Sequence, residues 1–202
     1  LNIERREIEQ SMLQDALNDF PETLPPGQTT LVAYRDDFHQ GVVGIVASRL
    51  KDRFYRPTIV FAPADNGEVR GSGRSIPNLH LRDALDLVSK RHPDLILKFG
   101  GHAMAAGLTL SCERLPDFRR AFSEAVRTRL TAQDFIPKVT ISALAAPADW
   151  SIETVEELAL LEPYGMGNPR PIFGVRNVRP QKASSIGAEG KHLRMDIGTR
   201  EH

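Results

Sequence analysis

The order in which strand-like and helix-like segments follow one another constrains the fold of this chain most strongly. Between residues 28 and 132, short apolar runs rich in β-branched residues alternate with stretches whose apolar residues recur every three or four positions. The order strand–helix–strand–strand–helix–strand–helix predicts an α/β domain with a mixed β-sheet and flanking helices. The predicted strands lie at 29–35, 58–62, 68–71 and 106–110, and the predicted helices lie at 43–54, 78–90 and 114–130.

Two further regions flank this domain. Residues 2–20 carry an apolar stripe at helical spacing and stop at a run of prolines, so we predict a helix there. After a proline-containing linker at 133–138, a second unit begins with a strand-like run at 138–144 and continues with a helix capped by Ser151. The remainder of the chain is rich in Gly and Pro at first, and then basic and β-like.

Composition limits the classes of protein to consider. Apolar residues make up 41% and charged residues 26%, which is typical of a globular protein. The formal net charge is zero, so a surface for a polyanion requires local clustering of basic residues. No apolar run could span a membrane, and the charged N-terminus, which lacks Met, predicts a fragment or processed chain without a secretory signal. The single cysteine, Cys112, cannot form a disulfide within the chain and favours a reducing, cytoplasmic location.

Residues 71–75, Gly-Ser-Gly-Arg-Ser, form the first candidate binding segment. Glycines allow a backbone to approach a ligand, and hydroxyls beside a guanidinium are donors that suit a phosphate. Ser72, Gly73, Arg74 and Ser75 are therefore candidate phosphate-binding residues. The alternative is a glycine-rich strand end or bulge with an exposed arginine.

Residues 100–107 form the second candidate segment, because nearly all of them are small. Gly100 and Gly101 would allow a ligand to come close to the backbone, and His102 could donate to a phosphate oxygen or lie beside a metal-bound group. A tightly packed turn with a structural histidine is the alternative.

Two other segments carry weaker signals. Asp36, Asp37 and His39 precede a helix, but hard divalent cations usually need several carboxylates together, so we predict no metal site in this chain. In the Gly/Pro-rich connector after 161, Tyr164 could stack on a base and Arg170 could contact a phosphate. Structural bracing of the connector is the other interpretation of these two residues.

Several catalytic patterns are missing from the sequence. It contains no GxSxG motif, no HExxH motif and no pair of Asp-rich segments, and Ser72 and Ser75 have no evident activating base. The chain therefore does not look self-sufficient as a catalyst.

Four segments together indicate a family. They are HQGVVGIVASRL at 39–50, GSGRS at 71–75, LKFGGHAMAAGLTL at 97–110 and LEPYGMGNPRPIF at 161–173. In this order they resemble the RecJ family of bacterial single-strand-specific 5′→3′ DNA exonucleases, which belongs to the DHH superfamily. The resemblance covers essentially the whole chain.

The resemblance implies an architecture and a set of roles. It implies a joining helix at 1–20, a DHH-associated α/β domain at 28–132 and a partial OB-like β-barrel at 138–202. It implies that a metal-binding catalytic domain with Mn²⁺ or Mg²⁺ lies outside this sequence, which contains no Asp-His-His motif. It also implies that 72–75 hold a phosphate near the 5′ end of the strand, and that 100–102 line the same cleft with His102 assisting near the scissile phosphate.

The expected function is thus substrate binding for an exonuclease of DNA repair and recombination, with the isolated chain inactive. Single-stranded DNA is the expected partner, with single-strand binding protein and a helicase as further partners, and no membrane. Two alternatives remain open at this point. One is a DHH-superfamily phosphodiesterase that acts on short oligonucleotides or cyclic dinucleotides, and the other is a non-catalytic nucleic-acid-binding module.

Overall fold

The computed structural model describes residues 2–165, 167–187, 190 and 192–199. The chain divides into two compact units, Leu1–Pro137 and Lys138–His202. The first unit contains strands β1 (Leu31–Tyr34), β2 (Thr58–Pro63), β3 (Glu68–Arg74), β4 (Lys98–Gly101) and β5 (Ala105–Ser111). Its helices are α1 (Asn2–Asn18), α2 (Val43–Phe54), α3 (Leu81–Arg91) and α4 (Leu115–Arg127).

The five strands form one mixed sheet in the order β1-β2-β3-β5-β4. Strands β1 and β2 are parallel, and all the other neighbouring pairs are antiparallel. The predicted α/β class with flanking helices is confirmed. Strand β4, which lies at the edge of the sheet, was not predicted, because its sequence of Lys, Phe and two glycines lacks a strand-like apolar pattern.

Strands β1 and β2 are packed on both faces, because residues along them alternate between two clusters. Leu31 and Val60 join residues of α1 and α2 in one buried cluster. Ile59 and Phe61 join residues of α3 and α4 in the other, where the ring of Phe61 meets Phe118 edge to face at 5.6 Å. Each large apolar side chain buried in this way contributes about 1.5–3 kcal/mol. Period-2 alternation in the strands and helical stripes around them therefore specify a three-layer arrangement.

Helix α1 packs against α2 on the first of these faces. Met12 and Ala16 are buried there, as their spacing in the sequence predicts. The guanidinium of Arg35, just after β1, reaches carboxylates on both sides of the helix end, at 2.7 Å from Asp19 and 3.6 Å from Asp15. These groups are partly exposed, so apolar packing contributes most of the stabilisation of α1.

Helix α3 begins later than the sequence predicts. The predicted helix starts at residue 78, where the sequence offers Asn78 as a cap, but Asn78 has a φ of +70° and lies in the preceding turn. His80 occupies the cap position instead, and its Nδ1 accepts a hydrogen bond from the amide of Asp83 at 3.3 Å. Residues in the left-handed conformation are poor cap residues, because the cap requires extended backbone.

The second unit contains β6 (Ala143–Leu144), α5 (Ile152–Ala159), β7 (Phe173–Gly174), β8 (Val178–Ile186) and β9 (His192–Thr199). These strands form two two-stranded sheets, and over the described residues they do not close into a barrel. Ser151 caps α5 as predicted, since its Oγ accepts from the amide of Thr154 at 3.1 Å. The predicted strand at 138–144 is limited to its last two residues.

No helix in the described part of the chain is long and apolar enough to cross a membrane.

Candidate nucleic-acid interface

The segment 71–75 is the end of an interior strand rather than a turn. Strand β3 lies between β2 and β5, and it pairs with both through Arg74. Its backbone N–H groups are therefore used in the sheet ladder and are not donors for a ligand. This corrects the expectation that the backbone around Gly73 contacts a phosphate.

The two glycines of this segment leave room for buried side chains of the core. A Cβ atom at Gly71 would lie 2.5 Å from the ring of Phe61, and one at Gly73 would lie 2.8 Å from Leu81. Both positions face the cluster that α3 and α4 cover. Since side chains alternate along a strand, Ser72 and Arg74 point to the opposite face.

Ser75 also differs from its predicted role. It is 1% exposed, and its hydroxyl donates to the carbonyl of Leu79 at 2.8 Å. Its amide donates to the carbonyl of Met104. A buried hydroxyl that is engaged in this way is structural, so Ser75 is removed from the set of phosphate-binding candidates.

Arg74 is held in place by its own strand and by α2. Its Nη1 donates to Ser72 Oγ at 3.0 Å and to the carbonyl of Gly73 at 2.8 Å. A Cβ atom at Gly44, in the first turn of α2, would lie 2.8 Å from Arg74 Nη2 and 3.2 Å from Ser72 Oγ. The missing side chain of Gly44 thus makes room for the guanidinium, which is half-buried with donors left over for a ligand.

The register of the sheet brings the two candidate segments to one face. Ser72 pairs with Gly107 of β5, and Gly107 pairs with Gly100 of β4. Arg74 pairs with Ala105, whose carbonyl accepts from the amide of His102 at 2.8 Å. Strands β3 and β4 are therefore separated by one strand, or about 10 Å.

The positions of β5 and β4 in line with Ser72 are glycines, so no side chain covers the sheet there. A Cβ atom at Gly100 would meet nothing within 4 Å, and one at Gly107 would meet only a backbone oxygen at 3.8 Å. Both glycines are exposed, as is His102. We call this side of β3, β5 and β4 the open sheet face. A groove of about 530 Å³ on it is lined by residues that include Lys98, Gly100 and Gly107. Arg74 lines a separate pocket of about 280 Å³ with residues of α2. The floor of the groove offers unhindered approach to a flat or extended ligand.

The backbone conformation at position 101 requires glycine. It has a φ of +143°, and a Cβ atom there would lie 2.5 Å from both the Ala105 carbonyl oxygen and the Ala106 Cα. Only glycine tolerates this conformation and this proximity. The geometry accounts for Gly101 without a ligand, whereas Gly100 has no such structural requirement.

The acidic-histidine group before α2 does not assemble a metal site. The Tyr34 hydroxyl donates to Asp36, and this hydrogen bond, together with Cys112 and burial, raises the pKa of Tyr34 well above its ordinary value. Nδ1 of His39 accepts from the amide of Gly41 at 3.0 Å. Over the described residues, no three His, Cys, Asp or Glu side chains are grouped so that they could hold an ion. Asp36 and His39 are thus engaged in local hydrogen bonds.

Tyr164 and Arg170 contact each other in the second unit. The Arg170 guanidinium lies 5.2 Å from the centre of the Tyr164 ring, and the Tyr164 hydroxyl donates to the carbonyl of Leu158 at 2.7 Å. Arg170 also lies 3.8 Å from Glu162. These contacts brace the connector, and the guanidinium covers one face of the Tyr164 ring. Met166 of the same motif lies outside the described residues.

A separate cavity of the first unit lies elsewhere. It has a volume of about 810 Å³ and is located beside β1, between the end of α1 and helix α4. Charges of both signs line it, including Asp19, Arg35 and Glu124. None of the candidate site residues contributes to this cavity.

Sequence reasoning missed two contributors to the open sheet face. Arg70 and Lys98 both line its groove, yet neither was singled out. Alternation along β3 is a signal that could have found Arg70, because residues 70, 72 and 74 share one side of a strand. Lys98 could not be found in the same way, because β4 was not recognised as a strand.

The first unit is a three-layer α/β domain with a basic sheet face whose floor consists of glycines. Residues 27–128 match the DHHA1 domain family, and the chain belongs to this family. Residues 141–202 match the RecJ OB domain. In sequence and fold the chain corresponds to the DHHA1 and OB portion of RecJ.

Named relatives share much of the sequence. The single-stranded-DNA-specific exonuclease RecJ of Dickeya dadantii is 46% identical over 182 residues, which cover 87% of this chain and 31% of that protein. RecJ of Haemophilus influenzae is 39% identical over 202 residues, covering 96% of this chain and 34% of that protein. The chain thus spans about a third of the length of these relatives.

Solved structures agree with this relationship. The crystal structure of RecJ in complex with Mg²⁺ from Thermus thermophilus superposes with a TM-score of 0.78 at 31% identity, covering 97% of this chain and 29% of that one. The corresponding complex with Mn²⁺ from the same organism gives a TM-score of 0.77 at 30% identity, covering 97% and 28%.

Proposed function

We propose that this chain holds the single-stranded DNA substrate of a RecJ-type 5′→3′ exonuclease. The observation that carries the proposal is the register of the sheet, which puts Ser72 in line with Gly107 and Gly100, and Arg74 in line with Ala105, to which the amide of His102 donates. The names of its relatives support the substrate class, since each is called single-stranded-DNA-specific. The RecJ OB domain after the DHHA1 domain favours the exonuclease over a phosphodiesterase of short oligonucleotides.

Each residue has a distinct role in this proposal. Arg74 contacts the oxygens of a phosphate near the 5′ end through the guanidinium donors that Ser72 and Gly73 leave free. Ser72 orients Arg74 and offers its hydroxyl to the same phosphate. Gly100 allows the sugar–phosphate chain to lie flat on the floor, and His102 at the end of the row donates to an oxygen near the bond that is cleaved.

The same geometry implies little preference for base sequence. Donors on the open sheet face suit phosphate oxygens, which are alike in every nucleotide. Base stacking would have to come from elsewhere, and Tyr164 is the candidate in the second unit. In this proposal these residues hold the strand, and they take no other part in the hydrolysis.

The wider biological setting belongs to the same proposal. DNA repair and recombination in the cytoplasm is the setting in which a single-strand exonuclease would act, with single-strand binding protein and a helicase supplying and presenting the strand. Mn²⁺ or Mg²⁺ would be bound by a part of the protein outside this sequence. The chain by itself is therefore expected to leave single-stranded DNA intact when Mn²⁺ is added.

The proposal is tested with Arg74→Ala in the complete protein that carries this chain. Binding of a 5′-phosphorylated oligothymidine is measured by fluorescence anisotropy in EDTA, and digestion is measured with Mn²⁺. Loss of charge-assisted hydrogen bonds is expected to weaken binding roughly tenfold or more, with an unchanged melting temperature. Arg91→Ala, on α3 at the opposite side of the sheet, is the matched control. Equal affinity and turnover in the Arg74 and Arg91 variants would contradict the proposal.

A further inference from the structure

Besides the row of Ser72, Gly107 and Gly100 and the row of Arg74 and Ala105, a third row of paired residues crosses the open sheet face, and its members are polar. Arg70 of β3 pairs with Thr109 of β5, and Thr109 pairs with Lys98 of β4. All three residues line the groove of about 530 Å³. Arg70 and Lys98 are exposed, and over the described residues neither forms an ion pair with a carboxylate.

We infer that Arg70, Thr109 and Lys98 form a second phosphate subsite, which holds an internal phosphate of the strand. The inference rests on the proposed function, because the first subsite is the one at Arg74. The second subsite adds the path of the single-stranded DNA, which runs along the open sheet face from the row of Arg74 to the row of Arg70.

The chemistry of the row suits one phosphate group. The backbones of Arg70 and Lys98 lie about 10 Å apart on either side of Thr109. Their long side chains can close over the hydroxyl between them and present a guanidinium, an ammonium and an O–H donor to one anion. The row itself contains no carboxylate that would compete with a phosphate for these donors.

The separation of the two subsites requires a ligand with more than one phosphate. Arg70 and Arg74 are four residues apart on β3, which corresponds to about 14 Å along the strand. A phosphate held between Arg70 and Lys98 over Thr109 therefore lies in a different row from a phosphate held at the end of β3 by Arg74. Between the rows lie Ser72 and the bare positions Gly107 and Gly100, so no side chain blocks a sugar–phosphate chain that joins them.

The basic surface ends at this row. Glu68, two residues before Arg70, is on the same side of β3 and pairs with Ser111. A carboxylate there disfavours a further phosphate beyond Arg70, because like charges repel. The open sheet face therefore offers two phosphate subsites at its two ends.

The first experiment compares two ligands in the complete protein, with EDTA present to prevent cleavage. One is a fluorescent 5′-phosphorylated dT12, and the other is thymidine 5′-monophosphate, used as its competitor. The variants are Arg70→Ala with Lys98→Ala together, Arg74→Ala, and Arg91→Ala as the control.

We expect the Arg70/Lys98 variant to bind dT12 roughly tenfold more weakly. The slope of log affinity against log salt concentration should become shallower by about 0.7, the change for one phosphate contact on a single strand. Competition by thymidine 5′-monophosphate should be unchanged in this variant and weakened in Arg74→Ala. Unchanged dT12 affinity, or weaker monophosphate competition, in the Arg70/Lys98 variant would overturn the second subsite.

The second experiment identifies the phosphate. Single methylphosphonate linkages, which carry no charge, replace the phosphates of dT12 one at a time from the 5′ end. At one internal position the change should weaken binding to the wild type but not to the Arg70/Lys98 variant. If no internal position behaves in this way, the row does not bind a phosphate.

These outcomes separate the inference from the proposed function. If Arg74→Ala weakens binding and the Arg70/Lys98 variant does not, only the second subsite is wrong. If the wild-type protein does not bind single-stranded DNA, both are wrong. If Arg74→Ala has no effect while the Arg70/Lys98 variant binds more weakly, only the assignment of Arg74 in the proposed function is wrong. Melting temperatures of all variants should match the wild type, since Arg70 and Lys98 are exposed on the open sheet face, Arg74 is half-buried there, and Arg91 is exposed on α3.

Discussion

The side chain of Arg74 occupies space that any residue other than glycine would take at position 44. A Cβ atom at Gly44 would lie 2.8 Å from Arg74 Nη2, closer than real side chains approach. Helix α2 and strand β3 are far apart in the sequence, yet their fit determines where the guanidinium lies. Gly44 is therefore a positioning residue for the first phosphate subsite in the proposed function.

Substitution of Gly44 by Ala should separate affinity from stability. The new methyl group would displace the flexible end of Arg74, which weakens binding of dT12, while alanine favours a helix by up to about 1 kcal/mol over glycine. We expect lower affinity with an equal or higher melting temperature. In an Arg74→Ala background the same substitution should have no further effect on affinity, which a double-mutant cycle measures. Additive losses would mean that Gly44 acts through something other than Arg74.

Gly71→Ala and Gly100→Ala should have opposite effects. At Gly71 a methyl group would collide with the Phe61 ring, and such overpacking typically costs about 1–3 kcal/mol of unfolding free energy. At Gly100 a methyl group meets nothing within 4 Å, so the fold should be unaffected while the floor of the open sheet face is raised. Urea denaturation should show a loss for Gly71→Ala only, and anisotropy should show weaker dT12 binding for Gly100→Ala. A destabilised Gly100→Ala with normal affinity would contradict this assignment.

Ser75→Ala tests whether the second serine of 71–75 is structural. Removal of its hydroxyl leaves the Leu79 carbonyl without this hydrogen bond in a buried site, at a cost of about 1–3 kcal/mol. We expect a lower urea midpoint with unchanged affinity for dT12 in the folded protein. Ser72→Ala is the matched comparison, because Ser72 lies on the open sheet face and its loss should reduce affinity instead. Weak binding by Ser75→Ala under conditions where it is fully folded would restore Ser75 to the phosphate site.

Local periodicity was sufficient to predict much of the fold. The helix at 43–54 has the bounds of α2, because its apolar residues recur at helical spacing and face one cluster. The strand at 58–62 was also found, since its residues are apolar and β-branched on both faces. Strand β4 was missed because two of its four residues are glycines, whose strand conformation depends on pairing with β5.

The sequence also predicted only some of the roles within the candidate site. The sequence indicated that 71–75 and 100–102 matter, because small residues beside an arginine and a histidine suit an anion. It could not distinguish Ser72 from Ser75, or Gly100 from Gly71. That distinction depends on which face of the sheet each residue occupies and on what packs there, and both are properties of distant parts of the chain.

The sequence alone determined the class of fold, the order of the elements and the residue types available for binding phosphate, because these follow from local spacing and side-chain chemistry. Only the tertiary structure decided that Arg74, Gly107 and Gly100 lie side by side and that Gly44 makes room for Arg74. The physical reason is that register between strands is set by packing of the whole sheet against its helices.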